Sequence, residues 1–418
     1  MKFYQVGGSV RDEIMGVQPH DYDYCVVGST IKEMLKLSYK RVGKGFPVFL
    51  KDGKEYALAR TERKTGNKHT DFEFKFGKNV TIEEDLSRRD LTINSIAKDC
   101  DTGEYIDPYN GIRDIKNKII RITNPEAFDE DPLRVLRVAT YAAKTGFNVD
   151  IMTIQHCREM VEKGMLQYLS PERIWKEVEK GLNTNNFKYF IEVLSYTKAL
   201  GVIFPEIDAL KNVQEIPEHH PEETTYNHTL LALEYADKEN LSQIVKYALL
   251  FHDVGKLFTP EDVLPHHYGH EEAGLSVIEK QKVPNDYKDF AKMACKYHMI
   301  LRKFSEMKPG HIYDVMYDIT KGFRYVIPLK LLFQVSEADL YGRGKVPREE
   351  RVKQLKKSYD IAWDMYNIIE KVSANDFPEL MEKCDKLSGE EFGKLYRDKQ
   401  IQYYCDRKKV WHQNKKQQ

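Results

Sequence analysis

Residues 18–30 read QPHDYDYCVVGST, an aromatic and β-branched run with the pattern of a strand, opened by two aspartates two positions apart. Side chains at i and i+2 of a strand share a face, so Asp21 and Asp23 are expected to stand side by side. Left unpaired, two such carboxylates repel. Carboxylate oxygens suit hard cations such as Mg²⁺. A pair of ions about 3.5–4 Å apart holds both the attacking and the leaving oxygen in phosphoryl or nucleotidyl transfer. From this stretch alone, two aspartates capping the turn after GVQPH are the commoner meaning of such a pair, and the signal by itself is weak. Upstream, residues 6–12 read VGGSVRD. Gly7 and Gly8 end a β-prone segment, leave backbone N–H groups unobstructed and lead into a helix start, while Arg11 adds a guanidinium suited to phosphate oxygens. A strand, a Gly-Gly-Ser loop, an arginine and the D-x-D pair within one short unit make a phosphate cradle facing a metal pair.

The surroundings set the fold class. A chain of 418 residues is expected to form two to four domains. Lys plus Arg and Asp plus Glu are 65 each, which removes the global signature of a nucleic-acid binder while leaving room for a local basic face. The six cysteines (Cys25, Cys100, Cys157, Cys295, Cys384, Cys405) are scattered without a C-x-x-C pair, so reduced thiols in a cytoplasmic protein are expected. The start MKFYQVGGSVRD lacks a signal-peptide core, and no apolar run approaches the roughly 20 residues of a membrane helix. Up to about residue 122, short strand-like stretches (KFYQVGG, YDYCVVG, FPVFLKDG, EYALAR, DFEFKF) alternate with Gly, Asp and Lys. Beyond it, helical periodicity dominates, from DPLRVLRVATYAAKTGF through PERIWKEVEKGL to REERVKQLKKSYDIAWDMYNIIEKV. The expectation is an α+β protein: a small-sheet head followed by an all-α remainder.

GGSVRD, HDYDYCVVG, RRDLTINSIA and EDPLRVLR, in this order and spacing, resemble the class II tRNA nucleotidyltransferases, the CCA-adding enzymes of the polymerase β superfamily. The likeness continues through SPERIWKE to HDVGK, as in the long bacterial form with an appended HD domain, and fades past residue 345. It implies a nucleotidyltransferase head over 1–122, a helical neck and body over 123–225, an HD phosphohydrolase domain over 226–345 and a helical C-terminal region over 346–418. It also implies template-independent addition of C, C and A to the 3′ end of tRNA from CTP and ATP, by a monomer or homodimer. Asp21 and Asp23 would hold two Mg²⁺ ions, with Glu73 or Asp71 as a third carboxylate. Gly8, Arg11 and Arg89 would contact phosphate, and Asp90, itself placed to cap a helix, would recognise the ribose 2′-hydroxyl with Asn94.

Nucleotide selection would fall to FDEDPLRVLRVA. Pro132 suits a first helical position, and Asp131, Arg134 and Arg137 recur every three residues. An aspartate accepts from the exocyclic amine of C or A while an arginine donates to the adjacent ring acceptor; U and G present the reverse pattern. Residues 59–72 resemble the family's loop for the switch from C to A, and VGKGFPVFL its CCA branch rather than the poly(A) polymerases that share the head. Arg173, Lys176 and Lys180 at helical spacing are candidates to grip the acceptor and T arms of tRNA.

In the helical half, His228, His252-Asp253 and Asp339 reproduce the H…HD…D order of HD phosphohydrolases. Imidazole with carboxylate suits Ni²⁺, Mn²⁺ or Co²⁺, and His267, His270 and His298 could complete a second metal. Gly255 is expected to break the helix so that His252 and Asp253 can converge. The resemblance implies 2′,3′-cyclic phosphodiesterase, 2′-nucleotidase and phosphatase activity for tRNA end repair. Poly(A) polymerase, and a tRNA-binding protein with an inactive HD domain, are the competing readings.

Overall fold

The computed structural model describes residues 1–19, 21–42, 48–64, 72–215, 222–264, 266–343 and 349–415. They form two compact units, Met1–Pro205 and Glu206–Gln418. Within 43–47 and 65–71, the middle of VGKGFPVFL, most of the C-to-A loop and Asp71 lie outside the described residues.

In the first unit, β1 (Lys2–Val6), α1 (Gly8–Ile14), β2 (Asp23–Val27), α2 (Ile31–Lys36), β3 (Lys40–Val42), β4 (Val48–Lys51) and β5 (Lys54–Leu58) come first. The hairpin β6 (Arg60–Lys64) and β7 (Phe72–Phe76), then α3 (Ile82–Ser87), β8 (Ala97–Asp99) and β9 (Tyr105–Ile106) complete the head. Seven strands make one sheet in the order β3-β4-β5-β2-β1-β8-β9. Strand alternation splits its faces: Tyr4, Val6, Cys25, Ala59 and Ala97 pack with Ile82 and Leu86 of α3, while Val26, Phe49 and Leu58 pack with Met34 of α2. Both helices start at capping boxes, Thr30 with Glu33 and Thr81 with Glu84.

The central register explains the site. β1 and β2 are antiparallel with Val6 opposite Asp23, so the Gly7-Gly8 turn, at φ 73° for Gly7, leaves the sheet beside Asp23. The strand starts at Asp23 and does not include Asp21, contrary to the expectation of both aspartates on one strand. Gly7 turns β1 away, and residues before Asp23 have no ladder partner on that side.

Helices follow: α4 (Gly111–Asn117), β10 (Ile119–Ile120), α5 (Pro125–Asp129), α6 (Leu133–Thr145), β11 (Asn148–Val149), α7 (Ile151–Glu162), α8 (Pro171–Leu182), α9 (Phe187–Tyr196) and α10 (Leu200–Ile203). Pro132 directly precedes α6, and Gly146 at φ 69° closes it. The second unit is helical: α11 (Pro205–Ala209), which begins at the junction, α12 (Thr225–Lys238), α13 (Gln243–Phe251), α14 (His270–Glu279), α15 (Asn285–Leu301), α16 (Pro309–Ile319), α17 (Ile327–Tyr341), α18 (Glu349–Ile369), α19 (Pro378–Met381) and α20 (Gly389–Lys415). No described helix is long and apolar enough to cross a membrane.

Candidate functional site

A pocket of about 470 Å³ in the first unit is lined by Gly7, Gly8, Asp23, Arg60, Arg88, Arg89, Asp90, Asn94, Asp131, Leu133, Arg134, Arg137, Tyr141 and Arg173. It brings together the glycine turn, one of the two aspartates and the whole Asp131/Arg134/Arg137 series. A Cβ built on Gly7 would press on Arg89 Nη1 at 3.2 Å and touch Asp23 Oδ2 at 4.0 Å, and the φ of 73° favours glycine, so the backbone turn meets the guanidinium and the carboxylate without strain. Burial raises the Asp23 pKa, Arg89 opposes this, and Asp21 adds to it. That mutual repulsion is what a divalent cation would relieve, and the donor set fits Mg²⁺. Asp21 itself is exposed and outside the lining. Glu73 is placed only by its backbone in β7, opposite Arg63.

The arginines are aimed by a carboxylate that the motif reading missed. Asp85 of α3, 1% exposed, accepts from Arg88 Nη2 at 2.7 Å and Arg89 Nη2 at 3.1 Å. Burial opposes its charge, but Arg88 and Arg89 outweigh it and hold its pKa at about 2. The i, i+3 and i, i+4 spacing in EEDLSRRD was the available signal.

Asp90 does not cap a helix: a short 3₁₀ turn, Thr92–Asn94, follows it. Its Oδ1 accepts from the Leu91 N–H at 2.9 Å and from Asn94 Nδ2 at 3.2 Å, and its Oδ2 from Arg137 Nε at 2.7 Å. Burial disfavours the Asp90 carboxylate, yet Arg137 and Asn94 keep its pKa below the usual range, while Asp90 raises that of Arg137. Arg11 does not line the pocket. It is buried at 2% exposure, donating from Nη1 to Asn94 Oδ1 at 2.7 Å and from Nε to Asp12 at 2.9 Å. The chain Asp12–Arg11–Asn94–Asp90–Arg137 therefore makes a rigid floor, and Arg11 supports it from beneath.

Asp131 and Arg134 also have partners. Arg173 Nη2 donates to Asp131 at 2.8 Å, so Arg173, expected on a tRNA-gripping face, belongs to this pocket. Arg134 donates to the carbonyls of Ala127 and Arg88, both at 2.7 Å.

The second unit gathers the HD series. His228, His252 and Asp253 form one potential three-ligand group and Asp253, His270 and His298 another, with ligand atoms within 4.8 Å of one another in each. His252 Nε2 lies 3.4 Å from His228 Nε2 and 3.4 Å from Asp253 Oδ2. On the other side of the carboxylate, His270 Nε2 and His298 Nε2 lie 3.3 and 3.4 Å from Asp253 Oδ1, buried and without a well-formed hydrogen bond. The Nδ1 atoms of His252, His298 and His270 face the carbonyls of Leu249, Ala294 and His267, and His228 Nδ1 faces Glu222 at 3.1 Å. Outer partners thus turn every Nε2 inward, as metal-ligating histidines require. Burial keeps His252 neutral, with a pKa of about 3, and lowers that of His298. Asp253, despite burial, stays ionised beside Lys256 at 2.9 Å. The unpaired, inward-facing Nε2 atoms of His270 and His298 and the converging Nε2 atoms of His228 and His252, around a shared carboxylate, fit transition-metal ions.

Asp339 sits 3.0 Å from His228 Nε2 and also contacts Arg302. His267 is not part of either group; its Nδ1 pairs with Thr259 at 2.8 Å. Gly255 has no left-handed backbone: α13 stops at Phe251 and a 3₁₀ turn, Val254–Phe258, carries the change of direction. Glycine is needed because a Cβ there would come within 1.9 Å of the His270 carbonyl. Glu215, bonded to Lys256 at 2.7 Å, and Glu222 were missed, since both lie within EIPEHHPEE, which carries no motif.

Residues 3–121 match the family described as Poly A polymerase head domain, 146–211 the probable RNA and SrmB-binding site of polymerase A, and 218–324 the HD domain. Among solved structures, the chain is similar to a CCA-adding enzyme in apo form I, at 20% identity and TM-score 0.63, covering 97% of this chain and 86% of that one. It is similar to the Thermotoga maritima CCA-adding enzyme complexed with tRNA, at 21% identity and TM-score 0.61, covering 96% and 86%. The Bacillus stearothermophilus CCA-adding enzyme in complex with CTP matches at 21% identity and TM-score 0.60, covering 99% and 94%.

Proposed function

Starting from a chain that has the fold of the CCA-adding enzymes, with a poly A polymerase head domain and an HD domain, we propose that it adds C, C and A to the 3′ end of tRNA. The observation that carries this is one pocket in which Asp23, Gly7 and Arg89 meet the Asp131/Arg134/Arg137 series. Asp21 and Asp23 would hold Mg²⁺, which supplies charge neutralisation for the 3′-hydroxyl and the departing pyrophosphate. Arg88 and Arg89, aimed by Asp85, hold the triphosphate, and the Asp90–Asn94 floor meets the ribose. Asp131 exchanges Arg173, and Arg134 exchanges its two carbonyls, for the Watson–Crick edge of C or A. U or G would leave these groups unpaired, at a cost on the order of 1–3 kcal/mol each.

In the second unit, the two ligand groups sharing Asp253 support a metal-dependent phosphohydrolase acting on tRNA ends in the cytoplasm. Asp253 with His228, His252, His270 and His298 would hold the metal, for which imidazole with carboxylate suits Ni²⁺, Mn²⁺ or Co²⁺ as a Lewis acid. We retain as the domain division a head over 1–122, a neck and body over 123–225, an HD domain over 226–345 and a C-terminal region over 346–418.

The test is incubation with tRNA lacking its 3′ end and each nucleotide triphosphate, separately and together, with sequenced products. CC from CTP and a final A from ATP are expected; runs of A without CC would make the protein a poly(A) polymerase.

A further inference from the structure

Beside the His/Asp cluster, the guanidinium groups of Arg343 and Arg351 line one pocket, and among the described residues a single carboxylate, Asp339 on Arg302, is at contact distance from these two or from the neighbouring Arg302. Arg302, just past α15, meets Asp339. Arg343, just past α17, and Arg351, in the first turn of α18, line the same pocket of about 320 Å³ as Asp253, His270, Asp339, Lys256 and Lys303. Arg343 Nε and Arg351 Nη1 are buried there with no hydrogen-bond partner. Burial lowers the pKa of both, and Arg343 lowers that of Arg351 and Arg302 further. Asp253, Glu215 and Glu222 attract Arg343 only from a distance. Lys256 is already bonded to Glu215 and Asp253. Adjacent half-buried cations, each with a buried N–H left unpaired, are costly, and planar guanidinium forks match the oxygens of a phosphate.

We propose that Arg343 and Arg351, both beyond the segment that matches the HD domain, form a phosphate-binding subsite of this pocket, which takes the phosphate group at an RNA end. The identity of the ligand as an RNA end rests on the phosphohydrolase reading; the anion site does not. Ser358 of α18 donates to the Arg302 carbonyl at 3.1 Å, which ties the helix that carries Arg351 to the end of α15.

The test is calorimetric titration of inorganic phosphate into the full-length protein in chelator-treated buffer, comparing wild type with the Arg343→Gln/Arg351→Gln double variant. Wild type is expected to show one phosphate site more than the variant, or at least tenfold tighter binding, while CTP addition by the variant is unchanged. The Tm of the variant without phosphate should equal or exceed that of wild type, because a repulsion has been removed. Identical phosphate binding, or a variant Tm lowered with and without phosphate, would overturn the subsite in favour of a structural role. With Mn²⁺ and 2′,3′-cyclic AMP, KM should rise at least tenfold in the variant. A wild type that binds phosphate through these arginines but hydrolyses no cyclic phosphate would leave the subsite standing and remove the phosphohydrolase reading.

Discussion

Asp85 carries more of the head pocket than its place in an acidic helix suggests. It is buried with two arginines on its oxygens and a pKa near 2. Its folded pKa lies below the unfolded value near 4, so its stabilisation is present above about pH 4 and is lost as pH falls towards 2. The shift corresponds to about 2 kcal/mol. Asp85→Asn should lower stability at pH 7 by about that amount and flatten its dependence between pH 4 and 2, as read by denaturant unfolding at each pH. It should also weaken ATP and CTP binding by releasing Arg88 and Arg89. On the proposed function Asp131 would exchange Arg173 for a base, so Asp131→Ala should raise UTP and GTP incorporation relative to CTP by about tenfold or more, measured as kcat/KM ratios on end-truncated tRNA.

At the scale of elements, glycines act through close approach. Gly255 brings the 3₁₀ turn after α13 against the first residue of α14, and this contact places His270 on Asp253. Gly255→Ala should push α14 away, cost about 1–3 kcal/mol of stability and abolish hydrolysis of 2′,3′-cyclic phosphate. Near-wild-type hydrolysis would show that His270 is dispensable. The strand β2 was legible from alternation, but its first residue was not, because the ladder ends where β1 turns at Gly7. The helix ends at Phe251, four residues before the Gly255 at which a break was expected, and the glycine serves close approach instead, since steric neighbours from another helix are invisible in a local pattern.

For the whole molecule, the two candidate centres belong to separate compact units. Asp23→Ala should abolish CTP and ATP addition and leave phosphohydrolysis intact, and His252→Ala should do the reverse; their effects should be independent in the double variant. Formal net charge is zero, yet six arginines face three aspartates in the head pocket. KM for CTP is therefore expected to rise with ionic strength between about 50 and 200 mM salt.

The sequence by itself determined the α+β head, the helical remainder, the glycine turn beside the aspartate strand and the ordered HD series. These rest on short-range periodicity and on residue types that only a few chemistries need. Tertiary structure alone decided which groups hold one another, Arg173 on Asp131, Arg11 beneath Asn94 and Glu222 behind His228, and which repel, Arg343 and Arg351. Such pairs join residues up to scores of positions apart. Their energies depend on burial and distance, which no local pattern encodes until the chain has packed.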